Sequence, residues 1–231
     1  MLYMSRVDIQ FYMDKYNLHE VLPERLYPHL SLHTVEKGEQ LCRQGEPAKT
    51  LYIVVKGKAK VFTTSVEGKT LVLSFQTPIE LIGDIEYIQN IDIINTVEAV
   101  SSVTVIKIPY KFIRKHCEQY SPFLMFMLKV ITDKFNAKSN FLKLNVLYPV
   151  EVRLASYLLS HSFDEEHSLV TGVHSTKNLK DTANLIGTSY RHLNRVIQQF
   201  NELGLVERKD KWIQIKDWEG LREMAGSSLY E

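Results

Sequence analysis

The sequence predicts an α+β protein in three parts: an N-terminal β-roll of jelly-roll type (residues 1–120), a long α-helix (121–148) and a C-terminal winged helix-turn-helix (149–231). Three observations carry that prediction. Between about residues 30 and 108, short runs rich in β-branched and aromatic residues alternate with Gly38, Gly45, Gly57, Gly68 and Gly83, the texture of many short antiparallel strands. From Phe123 to Tyr148 there is no Gly or Pro, so nothing interrupts a helix. Residues 179–200 carry two helical apolar patterns that meet at Gly187.

Taken in order, residues 5–18 form a candidate amphipathic helix through Val7, Phe11, Asp14, Tyr16 and Leu18, and Pro23 and Pro28 bracket a turn. Strands are expected at 50–55, 58–64, 70–75 and 103–108, with Glu67-Gly68 turning a hairpin between the second and third. Pro109 suits the first turn of a helix running to Tyr120, and Ser121-Pro122 starts the next. At about 1.5 Å per residue the uninterrupted helix is a rod of roughly 39 Å. Along it, Leu124, Leu128, Ile131, Phe135 and Leu142 follow four- and three-residue steps, interrupted by Lys138. A second apolar set, Met127, Val130, Phe141, Leu144 and Tyr148, lies beside the first. Such a helix has two partners: the β-roll and a second copy of itself in a homodimer. The alternative is one buried helix of a monomeric core. Pro149 ends or kinks the rod, residues 150–161 resume helical spacing, and the acidic stretch 161–170 reads as a loop.

In residues 179–200, Leu179, Ala183 and Ile186 define one face of a first helix, and Ala183 is small where a second helix would cross. Gly187 supplies the turn. Ser189 is placed to N-cap a second helix whose Leu193, Val196, Ile197 and Phe200 recur at helical spacing. Gly204 closes that helix. Short strands at 205–208 and 212–215 around Lys209-Asp210-Lys211 form a wing. This is the pattern whose second helix enters the DNA major groove; an ordinary helical hairpin in a larger core is the bland alternative. Tyr190, Arg191, Asn194 and Arg195 lie on the side away from Leu193, Val196 and Ile197. Each arginine can contact guanine O6 and N7 bidentately and Asn194 can read adenine, or the arginines can meet phosphate instead. Thr188, Ser189, Lys209 and Lys211 are the candidates for holding phosphates.

Composition narrows the function classes without choosing among them. The chain has 231 residues, 45% hydrophobic and 24% charged, with a net charge of +1. Residues 149–231 hold ten Lys/Arg against twelve Asp/Glu, a net of −2, so any DNA contact must come from local arrangement rather than a generally basic surface. Neither a signal peptide nor a membrane span is expected. Two cysteines, Cys42 and Cys117, are too few for a disulfide framework, which points to a reduced, cytoplasmic protein. A metal-dependent jelly-roll enzyme needs clustered ligands, and no histidine is expected in the roll core. Phosphate-loop, nucleophile-elbow and HExxH motifs are absent from the sequence. A ligand-binding or scaffold module without DNA contact is the competing function.

Over about residues 30–217 these features resemble the bacterial CRP/FNR family of transcription regulators. Glu36-Lys37-Gly38-Glu39, Arg43-Gln44-Gly45-Glu46 and residues 51–57 look like its cyclic-nucleotide-binding-type signature, and Leu81-Ile82-Gly83-Asp84 like the start of its phosphate-binding cassette. Within the family, residues 189–193 (SYRHL) and 82–86 (IGDIE) are most similar to the YeiL-like branch. The resemblance implies a homodimer on a palindromic double-stranded DNA operator, with RNA polymerase as a further partner. It also marks Ile82, Gly83, Asp84, Asn95 and Thr96, with Lys138 and Ser139 of the long helix, as candidates for lining an effector pocket. Where cyclic-AMP-binding members carry an arginine followed by Ser or Thr, this chain reads Ile93-Ile94-Asn95-Thr96. Burying a phosphate without its cation would cost several kcal/mol, so cyclic AMP is not expected. The oxygen-sensing branch holds an iron–sulfur cluster on N-terminal cysteines, and no cysteine precedes Cys42 here, so that cluster is not expected. Haem would need a His or Cys positioned in the roll, where Cys42 is the only such residue between Thr34 and Ile108 and reads as a small hydrophobe, so haem is not expected either. The family often carries glutamate where Arg191 stands, while its arginine matches Arg195, which implies an altered half-site.

Overall fold

The computed structural model describes residues 6–68, 70–160, 163–164, 169–170, 172–176 and 179–226. Two compact units divide the chain, Met1–Asp133 and Lys134–Glu231. The division falls inside the long helix.

The first unit is the expected β-roll, built from two four-stranded antiparallel sheets. One runs β1 (Ser31–Val35), β8 (Val103–Pro109), β3 (Thr50–Lys56), β6 (Leu81–Ile82); the other runs β2 (Gln40–Cys42), β7 (Thr96–Ala99), β4 (Ala59–Thr64), β5 (Thr70–Gln76). Strand β3 shows why its sequence is apolar almost throughout. Successive side chains point to opposite faces: Leu51, Ile53 and Val55 join one core, while Val54 and Tyr52 join another between the sheets. Strand β8 divides the same way, with Ile106 and Ile108 on one side and Val103 and Val105 on the other. The β4–β5 hairpin turns at Gly68 (φ 80°), whose N–H donates to the Ser65 carbonyl at 2.9 Å.

Helices close the outer face of the first sheet. Helix α1 (Arg6–Lys15) presents Tyr12 and Met13 to the core and leaves Phe11 60% exposed. The face expected from the sequence is therefore rotated, and Ser5 lies outside the described residues. A 3-10 helix, Glu24–His29, carries Pro28 within it where a simple turn was expected. Helix α2 (Asp84–Gln89) follows β6. Helix α3 (Tyr110–His116) stops short of the expected Tyr120, because the chain turns through Cys117 into α4 (Ser121–Leu147). His33 stands on the edge strand β1 opposite Val105 and belongs to neither apolar cluster of the roll. It is half-buried, and burial with the Lys107 charge lowers its pKa.

The second unit packs α5 (Val150–Ser160), α6 (Leu179–Leu185), α7 (Tyr190–Glu202) and α8 (Trp218–Ala225) around one apolar cluster that includes Leu154, Leu158, Ile186, Leu193, Phe200 and Leu221. Its sheet has three strands, ordered β11 (Val173–Ser175), β13 (Trp212–Ile215), β12 (Val206–Lys209); the sequence pointed only to the last two. Within the stretch expected to be a loop, β9 (Phe163–Asp164) and β10 (Leu169–Val170) pair antiparallel. The remainder of that loop, with His161 and His167, lies outside the described residues.

Candidate nucleic-acid interface

Helices α6 and α7 bury the side chains whose spacing predicted them. Ala183, Ile186, Leu193, Val196, Ile197 and Phe200 are each no more than 1% exposed. Gly187 takes φ 64°, a left-handed conformation that a Cβ disfavours. Ser189 is extended, and its Oγ accepts a hydrogen bond from the His192 N–H at 3.1 Å, a cap worth about 1 kcal/mol. With the inward face fixed, Tyr190, Arg191 and Arg195 are left exposed on the opposite side of α7. Asn194 is half-buried, and its Nδ2 donates to the Tyr190 carbonyl at 2.8 Å, so reading a base edge requires that amide to leave its own helix. Thr188 is half-buried and Ser189 exposed, the latter with its hydroxyl already engaged as an acceptor in the cap.

The wing stands beside this helix. Lys209 meets Glu207 at 3.1 Å and lies 4.8 Å from the centre of the Trp212 ring. Lys216 meets the same carboxylate at 2.7 Å. Hydrogen bonds from Lys216 and Lys209 hold the Glu207 carboxyl below its usual range. Lys211 is exposed at the turn. Three hydrogen bonds tie the wing to its neighbours and had no signal in the sequence. Thr176 donates from Oγ1 to the Asp210 carbonyl at 2.8 Å and from its backbone N–H to the Lys211 carbonyl at 3.1 Å. At the end of α7, Asn201 Oδ1 accepts from the Arg208 N–H at 2.9 Å.

The residues singled out in the roll form a closed loop. Ile82, Asp84 and Thr96 are at most 6% exposed. Gly83 takes φ 88°, and Tyr110 donates its hydroxyl to the Gly83 carbonyl at 2.5 Å. Thr96 Oγ1 accepts from the Gln44 N–H at 3.1 Å, and Ile93 exchanges two backbone hydrogen bonds with Gly45 and Glu46. Asn95 is half-buried. The residue that sequence reading missed is Glu86, only 7% exposed, whose Oε1 accepts from the Ile94 N–H at 3.1 Å. A buried carboxylate thus takes up a backbone donor of the loop, next to apolar Ile94. These residues do not fit a cyclic phosphate, which would meet that carboxylate with no cation at Ile94 or Asn95. Burial, with Glu86 and Asp84, raises the Tyr110 phenol pKa. Burial, and secondarily Glu86, pushes the Cys42 thiol up to about 12. Lys138 and Ser139 are exposed on the part of α4 that belongs to the second unit.

Helix α4 sorts its two apolar sets. Of the second, Met127 and Leu144 are buried and Val130 and Phe141 half-buried. Of the first, Leu124 is 40%, Leu128 56%, Phe135 68% and Leu142 64% exposed, with Ile131 half-buried. No helix among the described residues is long and apolar enough to cross a membrane, and those residues include no cluster of three metal-ligating side chains.

Comparison with known proteins matches both halves. Residues 32–120 match the Cyclic nucleotide-binding domain family, and residues 152–224 the Crp-like helix-turn-helix domain family. The chain is 22% identical to the Fumarate and nitrate reduction regulatory protein of Yersinia pestis over 228 residues, covering 97% of this chain and 88% of that one. It is 23% identical to the Transcriptional activator protein anr of Pseudomonas aeruginosa over 200 residues, covering 84% and 80%. Among solved structures, a CRP-family transcriptional regulator from Thermus thermophilus superposes with a TM-score of 0.71 at 19% identity, covering 85% of this chain and 98% of that one. FixK2 from Bradyrhizobium japonicum superposes with a TM-score of 0.69 at 15% identity, covering 86% and 98%.

Proposed function

We infer that this chain, which belongs to the CRP/FNR family of transcription regulators, binds a roughly palindromic operator as a cytoplasmic homodimer and does so without cyclic AMP. The observation that carries the reading is the outer face of α7, where Arg191 and Arg195 stand exposed four residues apart on a helix locked from behind by Leu193, Val196 and Ile197. Residues four apart on a helix project from one side, so both guanidiniums enter one groove together. Arg195 reads guanine, Arg191 makes a second contact on the same strand of base edges, and Asn194 reads adenine once its amide swings from Tyr190. Thr188, Ser189, Lys209 and Lys211 contact the backbone. Residues 149–231 carry a net charge of −2, so this local arrangement is the source of affinity.

Two copies paired along the exposed seam of α4 place two recognition helices on half-sites about 34 Å apart. The relatives support the DNA-binding regulator reading, and the family resemblance adds RNA polymerase as the protein partner of the bound dimer. Residues 82–86 and 189–193 support the YeiL-like branch. The closed loop around Glu86 favours a roll whose effector, where there is one, is not an anionic cyclic nucleotide; the positions of Cys42 and Cys117 favour no iron–sulfur cluster.

Selection of bound sequences from a random DNA pool, for wild type and Arg195→Ala, tests the reading. The variant is expected to lose about 1–3 kcal/mol and to relax preference at one base pair per half-site. Uniform weakening with a shallower salt dependence would reassign Arg195 to phosphate.

A further inference from the structure

We propose that Arg153 and Asn145 are positioning residues that tie the helix-turn-helix to the end of the long helix, and so set the half-site spacing a dimer accepts. The proposal rests on the operator-binding reading above. Arg153 sits on α5 and is only 8% exposed, unusual for an arginine. Its Nη1 donates to the Ile186 carbonyl at 2.5 Å, the Gly187 carbonyl at 3.2 Å and Asn145 Oδ1 at 3.3 Å. Asn145, on the last turns of α4, points its Nδ2 at the Leu185 carbonyl, 3.5 Å away. Three consecutive carbonyls, from the end of α6 and the turn that follows, thus face one guanidinium and one amide.

The partners explain why the residues are polar here. The carbonyls at the end of a helix lack intrahelical donors and carry partial negative charge, so a cation is favoured beside them. Yet Arg153 Nε is buried without a partner among the described residues, so the side chain does not sit where its own hydrogen bonding is best satisfied. An apolar residue of similar volume would avoid burying a charge. What the guanidinium adds is a planar fork with fixed directions, joining the end of α4 and the start of α5 to carbonyls more than thirty residues further along the chain. Gly187 shows independently how close the approach is. A Cβ there would lie 3.1 Å from Arg153 Nη1 and 3.3 Å from Asn145 Cγ, so a side chain at the turn would press the pair apart. The turn that launches the recognition helix is therefore held against the same helix that carries the exposed apolar seam.

The test uses the full-length chain with Asn145→Ala, Asn145→Asp and Arg153→Lys. Each is titrated with the selected palindrome, with versions whose half-sites are moved by one base pair in either direction, and with a single half-site duplex. Wild type is expected to discriminate between spacings. Asn145→Ala should bind the single half-site within about twofold of wild type but lose at least tenfold of its spacing preference. Asn145→Asp, which keeps the acceptor for Nη1 but loses the donor to the Leu185 carbonyl, should recover only part of it. Arg153→Lys should behave like Asn145→Ala if it folds, which circular dichroism establishes. A variant at Asn145 that keeps the wild-type spacing preference, whether or not its Tm falls, overturns the proposal and leaves Arg153 a fold-holding group only. Wild type that selects palindromes but binds all three spacings equally also overturns it while leaving the operator reading intact. Wild type that selects no DNA overturns both.

Discussion

Replacing Phe135 by alanine should weaken the homodimer without weakening the fold of the single chain. Phe135 is 68% exposed on α4, so most of its ring is not covered by the described residues of its own chain. Fully burying a phenylalanine side chain stabilises by about 1.5–3 kcal/mol. Scaled by the surface still open, each copy contributes about 1–2 kcal/mol, and a two-fold interface contains two copies, about 2–4 kcal/mol in all. At about 1.4 kcal/mol per factor of ten, the dimer dissociation constant should rise roughly 30- to 1,000-fold. Sedimentation velocity over a concentration series reads that constant directly, and thermal unfolding of the dissociated chain provides the control. Phe135→Glu should go further, since a carboxylate in the seam must be desolvated. Wild type that remains monomeric at micromolar concentration would refute the pairing. So would an alanine variant whose constant moves less than threefold.

Two other outcomes are expected. Calorimetric titration with cyclic AMP should show no binding near micromolar concentration, and Glu86→Gln should not restore it, because Ile94 and Asn95 still supply no cation; tight binding by wild type would show that the loop opens. Burial raises the Cys42 thiol to about 12 and the Cys117 thiol to about 11, above the ordinary thiol value of about 8.5 that holds in the unfolded chain. The folded state therefore keeps protons that the unfolded state releases, so stability contributed below about pH 8.5 is lost progressively as pH rises toward 11 and 12. Urea midpoints at pH 7, 9 and 10.5 should fall in that order, and a midpoint that holds steady to pH 10.5 would contradict the burial of both thiols.

What the sequence made legible follows the length and regularity of each signal. Helices α4 and α7 repeat their apolar positions over many residues, and spacing alone separates buried Met127 and Leu144 of α4 from exposed Leu124, Leu128, Phe135 and Leu142, though it leaves buried Phe123 in neither set. Helix α1 has ten residues and a mixed pattern, and the face deduced from Phe11 is not the one that Tyr12 and Met13 bury. Strand β6 has two residues and β11 three, too short for an alternation to be recognised. The loop at Glu86 escaped for another reason: its ligand is a backbone N–H, which no residue type announces. Arg153 was illegible in the same way. A lone arginine in a helix reads as solvated surface, and only the folded chain brings the carbonyls of residues 185–187 to it.

The division of β3 between two cores limits how this chain can change in length. Because Leu51, Ile53 and Val55 serve one core while Tyr52 and Val54 serve the other, inserting or deleting one residue in the strand would send every side chain beyond it to the wrong side. Both cores would then fail together, and no substitution elsewhere could restore one without the other. The β4–β5 hairpin imposes no such constraint, since Val66 at its turn is fully exposed and touches neither core. Natural variants of this chain, or libraries that add and remove residues, should accumulate length changes at that turn and none between residues 50 and 56.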